Sequence, residues 1–148
     1  MTEVAFHFNA PDKVSYACRL LRKAAQSGAK VVVTAEPALL RNLDVALWSF
    51  SALDFVSHCY ATKDAVMQRA SAVVLADSLQ DIAQDTPPRQ VLLNLGEDVP
   101  AGFERFERLI EVVTLQDADR AGARNRWRHY ADRGYSIKRH DLALKEQS

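Results

Sequence analysis

Cysteine is scarce in this chain of 148 residues, which contains Cys18 and Cys59 and no other. Neither residue belongs to a CxxC pair or to a cluster of cysteines and histidines, so their spacing argues against a structural zinc site. Cys18 falls within an apolar helical pattern and is predicted to be a core thiol. We therefore expect no metal to take part in the fold.

Long apolar runs are missing as well. No stretch approaches the ~20 consecutive apolar residues that a transmembrane helix needs. No N-terminal segment shows the charged, apolar and small-residue zones of a signal peptide. Hydrophobic residues nevertheless make up 48% of the chain and charged residues 26%, which is the composition of a soluble globular protein. The sequence predicts a cytoplasmic protein with no membrane partner.

An excess of charge of either sign is absent, because 19 basic residues balance 19 acidic ones. This balance argues against a protein that binds duplex DNA mainly through its total charge. The charge is unevenly distributed, however, since the segment from Arg120 to Arg139 is rich in Lys and Arg and contains a single acid, Asp132. A local basic patch is therefore predicted near the C-terminus.

Glycine-rich phosphate loops are absent too. The five glycines form neither a GxGxxG motif nor a Gly-Lys-Ser/Thr motif. A phosphate loop needs such glycines so that successive backbone N–H groups can face the phosphate. The loop after the first predicted strand reads "NAPD", residues 9–12, with a proline and an acid where those donors would lie. We expect no nucleotide cofactor.

Candidate catalytic groups are dispersed along the chain. The sequence contains no GxSxG motif, and its four histidines have no local partner constellation. His58 and Cys59 are adjacent, but adjacent residues of a strand point to opposite faces and cannot pair directly. No catalytic residue is predicted, and the protein is expected not to be an enzyme. The alternative is a nucleotide-dependent or nucleic-acid-processing α/β enzyme.

What the sequence does contain is an alternation of strand and helix patterns. Residues 3–8 alternate in polarity, residues 14–25 repeat at helical spacing after the potential cap Asp12, and residues 30–35 form a β-branched run. Gly28 is placed to end the helix. A strand–helix–strand order of this length predicts parallel pairing.

The rest of the chain continues the alternation. Helices are predicted from Pro37, from about Pro100 to Leu109, and from near Asp117 to Gly134. Strands are predicted at residues 55–60, 72–76, 91–95 and 110–115. We expect a single three-layer α/β domain over residues 1–141, with a largely parallel sheet and flanking helices, Rossmann-like without a nucleotide-binding loop. Residues 142–148 are predicted to be a frayed tail.

Aromatic residues gather in "ALWSFSALDFVSH", residues 46–58, which contains Trp48, Phe50 and Phe55. Spacing alone favours core packing, although a buried helix end would account for only one of these three rings. The alternative is a partner-binding surface, since exposed aromatic clusters interrupted by polar residues mark such sites and Trp is a common anchor.

A second aromatic site lies in "RNRWRHYADRGY", residues 124–135. On an ideal helix Arg120, Arg124, Trp127 and Arg128 share one stripe, whereas Tyr130 lies on the opposite side and is predicted to pack inward. Arginine side chains beside an indole suit a carboxylate-bearing peptide or single-stranded nucleic acid with stacked bases. A solvated basic face near a helix C-terminus explains the pattern equally well.

Taken together, these segments resemble the chi subunit of bacterial DNA polymerase III holoenzyme. The resemblance runs through "VAFHF", "SGAKVVVTAE", "LDVALWSFSALDFVSH", "QVLLNLGEDVPAGFERFERLIEVV" and "ARNRWRHYADRGYSI". Its most specific parts are "LW" followed seven residues later by "FVSH", and the terminal pattern R-x-R-[WY]-[RK]-x-Y-x-x-x-G-[YF].

The resemblance implies a non-catalytic subunit that links the clamp-loader side of the replicase, through a heterodimer with the psi subunit, to single-stranded DNA-binding protein. It implies that Trp48 and Phe55 contact psi, or an accessory helicase that competes for the same surface. It also implies that Arg124, Trp127 and Arg128, supported by Arg120, hold the acidic, Phe-terminated tail of single-stranded DNA-binding protein. Nucleic acid is then reached mainly indirectly. Here Arg and Trp stand where the family often has Lys and Tyr.

Overall fold

The computed structural model describes residues 1–49, 56–62, 65–82 and 89–143. Within these ranges seven parallel strands form one sheet. In chain order the strands are β1 (Glu3–Ala10), β2 (Val31–Thr34), β3 (His58–Tyr60), β4 (Val73–Ala76), β5 (Val91–Asn94), β6 (Arg108–Thr114) and β7 (Ile137–Asp141). The helices of the same ranges are α1 (Lys13–Gln26), α2 (Pro37–Ser49), α3 (Ala65–Ala70) and α4 (Asp117–Asp132). The strands lie side by side in the order β3-β4-β2-β5-β6-β1-β7.

Helices cover both faces of this sheet. On one face α1 and α2 bury an apolar cluster that includes Cys18, Leu21 and Leu43. On the other face α4 packs together with a short 3-10 turn, Phe103–Arg105. Every strand pairing in the described residues is parallel. The predicted three-layer α/β architecture is confirmed, and Cys18 is a buried thiol as expected.

The first helix forms for the reasons that its sequence suggests. The Asp12 side chain accepts a 2.8 Å hydrogen bond from the Ser15 N–H and so caps the helix. At the other end Gly28 has φ +82°, a left-handed conformation that glycine adopts without a steric penalty. Asp12 therefore satisfies a backbone donor in the place where a phosphate loop would bind its ligand.

The predicted helix from Pro100 to Leu109 is wrong. Only Phe103–Arg105 makes a helical turn, of the 3-10 type, and the chain enters β6 at Arg108. Gly102 has φ +94°, which interrupts any continuous α-helix. Leu109 is fully buried between β1 and β5, so burial in the sheet outweighs the helical spacing of the preceding residues.

Two elements were not predicted. The short helix α3 lies between β3 and β4, and β7 extends the sheet beyond β1. β7 reads "IKRHD" and escaped recognition because an edge strand tolerates charged residues that a central strand does not. Residues 144–148, most of the predicted frayed tail, lie outside the described residues.

Candidate functional site

A buried polar network fixes α4 against the sheet. Glu111 of β6 is 0% exposed and accepts a 2.9 Å hydrogen bond from Arg126 Nε and a 2.6 Å hydrogen bond from the Tyr130 hydroxyl. The Asn94 side-chain amide of β5 lies 3.1 Å from the same carboxylate. Arg126 also donates to the Glu97 carbonyl oxygen. A buried carboxylate requires such partners, so the network sets the rotation of α4 about its axis.

The network also determines which of its groups ionise. Burial raises the pKa of the Glu111 carboxyl, while the charge of Arg126 and hydrogen bonds from Tyr130 and Asn94 oppose that rise. Burial raises the pKa of Tyr130 as well, and the adjacent Glu111 charge adds to the effect. Tyr130 is therefore a hydrogen-bond donor throughout the neutral pH range. It packs inward, as the sequence predicts.

The start of α4 is tied to two neighbouring elements. The Asp119 carboxylate accepts hydrogen bonds from the Thr114 N–H at 2.7 Å and the Thr114 hydroxyl at 2.9 Å, and it pairs with Lys13 of α1 at 3.1 Å. Burial alone would raise the pKa of Asp119, but these hydrogen bonds and the Lys13 charge hold it below its usual range. The contacts place α4 beside the C-terminal ends of β1 and β6.

With α4 fixed in this way, its outer side borders a cavity of about 620 Å³, which we call the arginine cavity. The cavity opens between α4, β1 and β7, on the α4 face of the sheet. None of the described residues that line it is acidic, and four are arginines. The lining residues are Phe6, Phe8, Asn9, Val113, Thr114, Arg120, Ala123, Arg124, Trp127, Arg128 and Arg139.

The structure thus brings together Arg120, Arg124, Trp127 and Arg128, the stripe that the sequence singles out. Arg120 donates a 3.1 Å hydrogen bond to the Asn9 side-chain oxygen at the rim of the cavity. Arg124 and Arg128 are exposed and form no hydrogen bond or ion pair with other described residues. Both guanidinium groups can therefore bind an anion without losing an internal partner.

Aromatic rings form the apolar wall of the cavity. Trp127 is half-buried, and its ring lies 5.0 Å from the ring of Phe6, which is buried beneath it on β1. Arg139 of β7 lies over the ring of Phe8 at 5.2 Å, within the range of a cation–π interaction. The cavity is consequently cationic at its rim and apolar at its wall.

Arg139, Phe6, Phe8 and Asn9 were not predicted to belong to this site. The alternation of β1 places Phe6 and Phe8 on one face, but nothing in the sequence places α4 over that face. Their position depends on β1 lying between β6 and β7. Asn9 has φ +65°, which is uncommon outside glycine and is tolerated best by Asn and Asp, so its residue type fits this backbone but does not predict the cavity.

The second predicted site is described in part. Trp48 lies in the last turn of α2 and is 64% exposed, so the core packing that spacing favours is wrong for this residue. Its ring contacts His58 edge-on at 5.4 Å, and His58 pairs with Asp44 at 2.9 Å. Val45, one turn before Trp48, is also mostly exposed. Phe50 and Phe55 lie outside the described residues.

Metal-ligand clusters and membrane-spanning helices are both absent from the described residues. No group of three or more His, Cys, Asp or Glu side chains in these ranges could hold a metal ion. Among the helices of the same ranges, none combines the length and the apolar character needed to cross a membrane.

The comparisons with known proteins agree with the resemblance in the sequence. The sequence model of the family described as DNA polymerase III chi subunit, HolC, matches residues 1–138. The DNA polymerase III subunit chi of Pseudomonas aeruginosa is 32% identical to this chain over 150 residues, which cover 96% of this chain and 98% of that protein. The chain therefore belongs to the DNA polymerase III chi subunit family.

Proposed function

We propose that this chain is a non-catalytic adaptor subunit that binds the acidic, Phe-terminated C-terminal tail of single-stranded DNA-binding protein in the arginine cavity. Family membership makes it an accessory subunit of DNA polymerase III. The finer assignment rests on one observation: four arginines and no acidic residue among the described lining surround a wall of aromatic rings. A ligand that fits such a cavity is anionic and apolar at once.

In this proposal each part of the tail meets a group of matching chemistry. Arg124 and Arg128 lie one helical turn apart, about 6 Å between Cβ atoms, so both guanidinium groups can reach one cluster of carboxylates. The terminal phenyl ring packs against Trp127, and Phe8 and Arg139 line the same cavity. Binding thus combines charge-assisted hydrogen bonds with the burial of one aromatic ring.

The surface around Trp48 is the second docking site of the proposal. An exposed tryptophan beside an exposed valine suits a hydrophobic partner segment, and Trp is the residue most enriched among interface anchors. We assign contact with the psi subunit to Trp48 and Phe55, in a heterodimer that joins the chain to the clamp loader. An accessory helicase would compete with psi there. Such an adaptor acts in the cytoplasm and reaches nucleic acid mainly through its partners.

A calorimetric comparison tests the tail assignment. The protein is titrated, without DNA, with intact single-stranded DNA-binding protein and with the same protein lacking its C-terminal tail. We expect binding to require the tail and the free tail peptide to compete fully with the intact protein. Equal binding of the intact and tail-less proteins would contradict the proposal.

A further inference from the structure

Helix α1 carries a second set of cations, on the face of the sheet opposite the arginine cavity. Its fourteen residues contain four Lys or Arg and no acid. Lys13 is paired with Asp119, whereas Arg19 and Lys23 form no ion pair with other described residues. Arg19, Arg22 and Lys23 are three and four positions apart and therefore share one side of the helix.

These side chains border a groove made of two adjoining cavities, which we call the α1 groove. The first cavity, of about 220 Å³, includes Tyr16, Arg19 and Arg22 in its lining, and the second, of about 250 Å³, includes Arg108. Leu20 and Lys23 line both cavities, so the groove continues from one to the other. No acidic residue lines either cavity among the described residues.

The neighbouring strands extend this positive surface. Lys138 of β7 is exposed and aligns with Ala5 of β1, which in turn aligns with Ile110 of the groove. Because Ile137 packs on the α4 side, alternation places Lys138 on the α1 side. Two acids of the described residues lie nearby: the exposed Glu3, which aligns with Arg108, and the exposed Asp12, which follows Pro11 of the first cavity. Among the described residues, cations therefore outnumber acids on this surface.

An aromatic ring lies within the same groove. Tyr16 is half-buried, its hydroxyl is hydrogen-bonded to His7, and its ring meets the His7 ring edge-on at 5.7 Å. Proteins that bind single-stranded nucleic acid without sequence preference combine a positive groove that follows the backbone with rings on which bases stack. The α1 groove has both parts.

We propose that the α1 groove binds the sugar–phosphate backbone of single-stranded nucleic acid. This goes beyond the adaptor function, because the contact is direct and lies on the face opposite the arginine cavity. A polyanion with a charge on every unit matches a row of cations better than a ligand with one carboxylate cluster does. Family membership places the chain in DNA replication, where single strands are present.

The test is fluorescence anisotropy with a labelled oligo-dT of about 20 nucleotides, at several salt concentrations. One variant combines Arg19→Glu with Lys23→Glu. Its matched control combines Arg69→Glu with Arg133→Glu, which makes the same charge change at exposed positions that line neither the α1 groove nor the arginine cavity. We expect the groove variant to lose at least about tenfold in affinity and the control to lose much less. The slope of log K against log salt should flatten by about 0.7 for each lost phosphate contact to a single strand.

Three results would overturn the proposal. Unchanged affinity in the groove variant would show that the α1 groove binds no nucleic acid. Equal losses in the two variants would show that binding follows total charge alone. Competition by polyglutamate as strong as that by the oligonucleotide would assign the groove to an acidic peptide instead. If the glutamate variant unfolds, a variant that combines Arg19→Gln with Lys23→Gln takes its place in the same comparison. This variant removes the two cations without introducing repulsion.

Discussion

Tyr130 of α4 donates a 2.6 Å hydrogen bond to Glu111 of β6, and both side chains are 0% exposed. Arg126, one helical turn earlier, binds the other oxygen of the same carboxylate. These two contacts join the helix that bears the cavity arginines to the strand beneath it. They direct Arg126 and Tyr130 inward and so leave Arg124 and Arg128 at the cavity.

The first prediction concerns this bond. Tyr130→Phe keeps the ring but removes the donor from a buried carboxylate, and we expect it to lower the free energy of unfolding by about 1.5–3 kcal/mol. Tyr135→Phe is the matched control, because the Tyr135 hydroxyl forms no hydrogen bond with the described residues. It should change stability by less than about 0.5 kcal/mol. Urea unfolding at pH 7 measures the free energy of unfolding of both variants. Equal losses of stability would show that the Tyr130–Glu111 hydrogen bond contributes little.

The second prediction concerns pH. Because the folded-state pKa of Asp119 is lowered, its ionised form stabilises the fold above its unfolded pKa, and this stabilisation is lost as the pH falls through the folded value. Asp119→Asn should therefore reduce stability at pH 7 and flatten the loss of stability below about pH 4. Asp117→Asn makes the same substitution at an exposed position in the same helical turn and is the matched control. Urea unfolding from pH 7 to pH 3 checks this, and superimposable wild-type and Asp119→Asn profiles would contradict it.

The sequence predicts the site best where the site residues belong to a single helix. Arg120, Arg124, Trp127 and Arg128 share a stripe by spacing alone, and α4 places that stripe along the cavity. The inward position of Tyr130 follows from the same periodicity. A helical repeat predicts which residues share a face without any knowledge of what lies opposite.

The sequence does not predict the contacts that depend on pairing between distant parts of the chain. Phe8 and Arg139 are 131 positions apart in the chain and meet because β1 and β7 are neighbours, an order that local pattern does not specify. Glu111 resembles a solvated strand carboxylate until Arg126 and Tyr130 are placed beside it. Phe103 and Phe106 have helical spacing, yet Gly102 and the burial of Leu109 in the sheet break the predicted helix.

The third prediction concerns the surface around Trp48. Since the side chain is 64% exposed, Trp48→Ala should change the free energy of unfolding by less than about 1 kcal/mol. It should nevertheless weaken binding to a psi partner more than tenfold, because anchor aromatics typically contribute ~2 kcal/mol or more. Val66→Ala, an exposed apolar residue on α3, is the control and should bind psi normally. Calorimetry with purified psi measures the affinities. If Trp48→Ala does not fold, Trp48 stabilises the fold and the prediction is wrong.

The last prediction concerns the arginine cavity and the tail peptide of single-stranded DNA-binding protein. Arg124→Ala and Trp127→Ala should each weaken binding, the first by removing a charge-assisted hydrogen bond and the second by removing the wall against which the phenyl ring packs. Arg128→Glu should cost more than Arg128→Ala, because repulsion is added to the lost contact. Arg139→Ala should also weaken binding, although its position is known only from the structure. Arg133→Glu makes the same charge change as Arg128→Glu just beyond the end of α4, outside the cavity lining, and should have a much smaller effect.

The salt dependence of peptide binding distinguishes the arginine contacts from the apolar contact with Trp127. The Debye length falls from ~10 Å at 0.1 M to ~3 Å at 1 M, so the arginine contacts should weaken as salt rises. The apolar contact with Trp127 does not depend on screening, and binding should therefore persist at high salt at reduced affinity. Trp127→Ala should lose this salt-resistant part, whereas Arg124→Ala should show a shallower salt dependence than the wild type. Calorimetric titrations at several salt concentrations distinguish the cases. If Arg128→Glu and Arg133→Glu bind the peptide equally well, α4 presents a solvated basic face and the tail binds elsewhere.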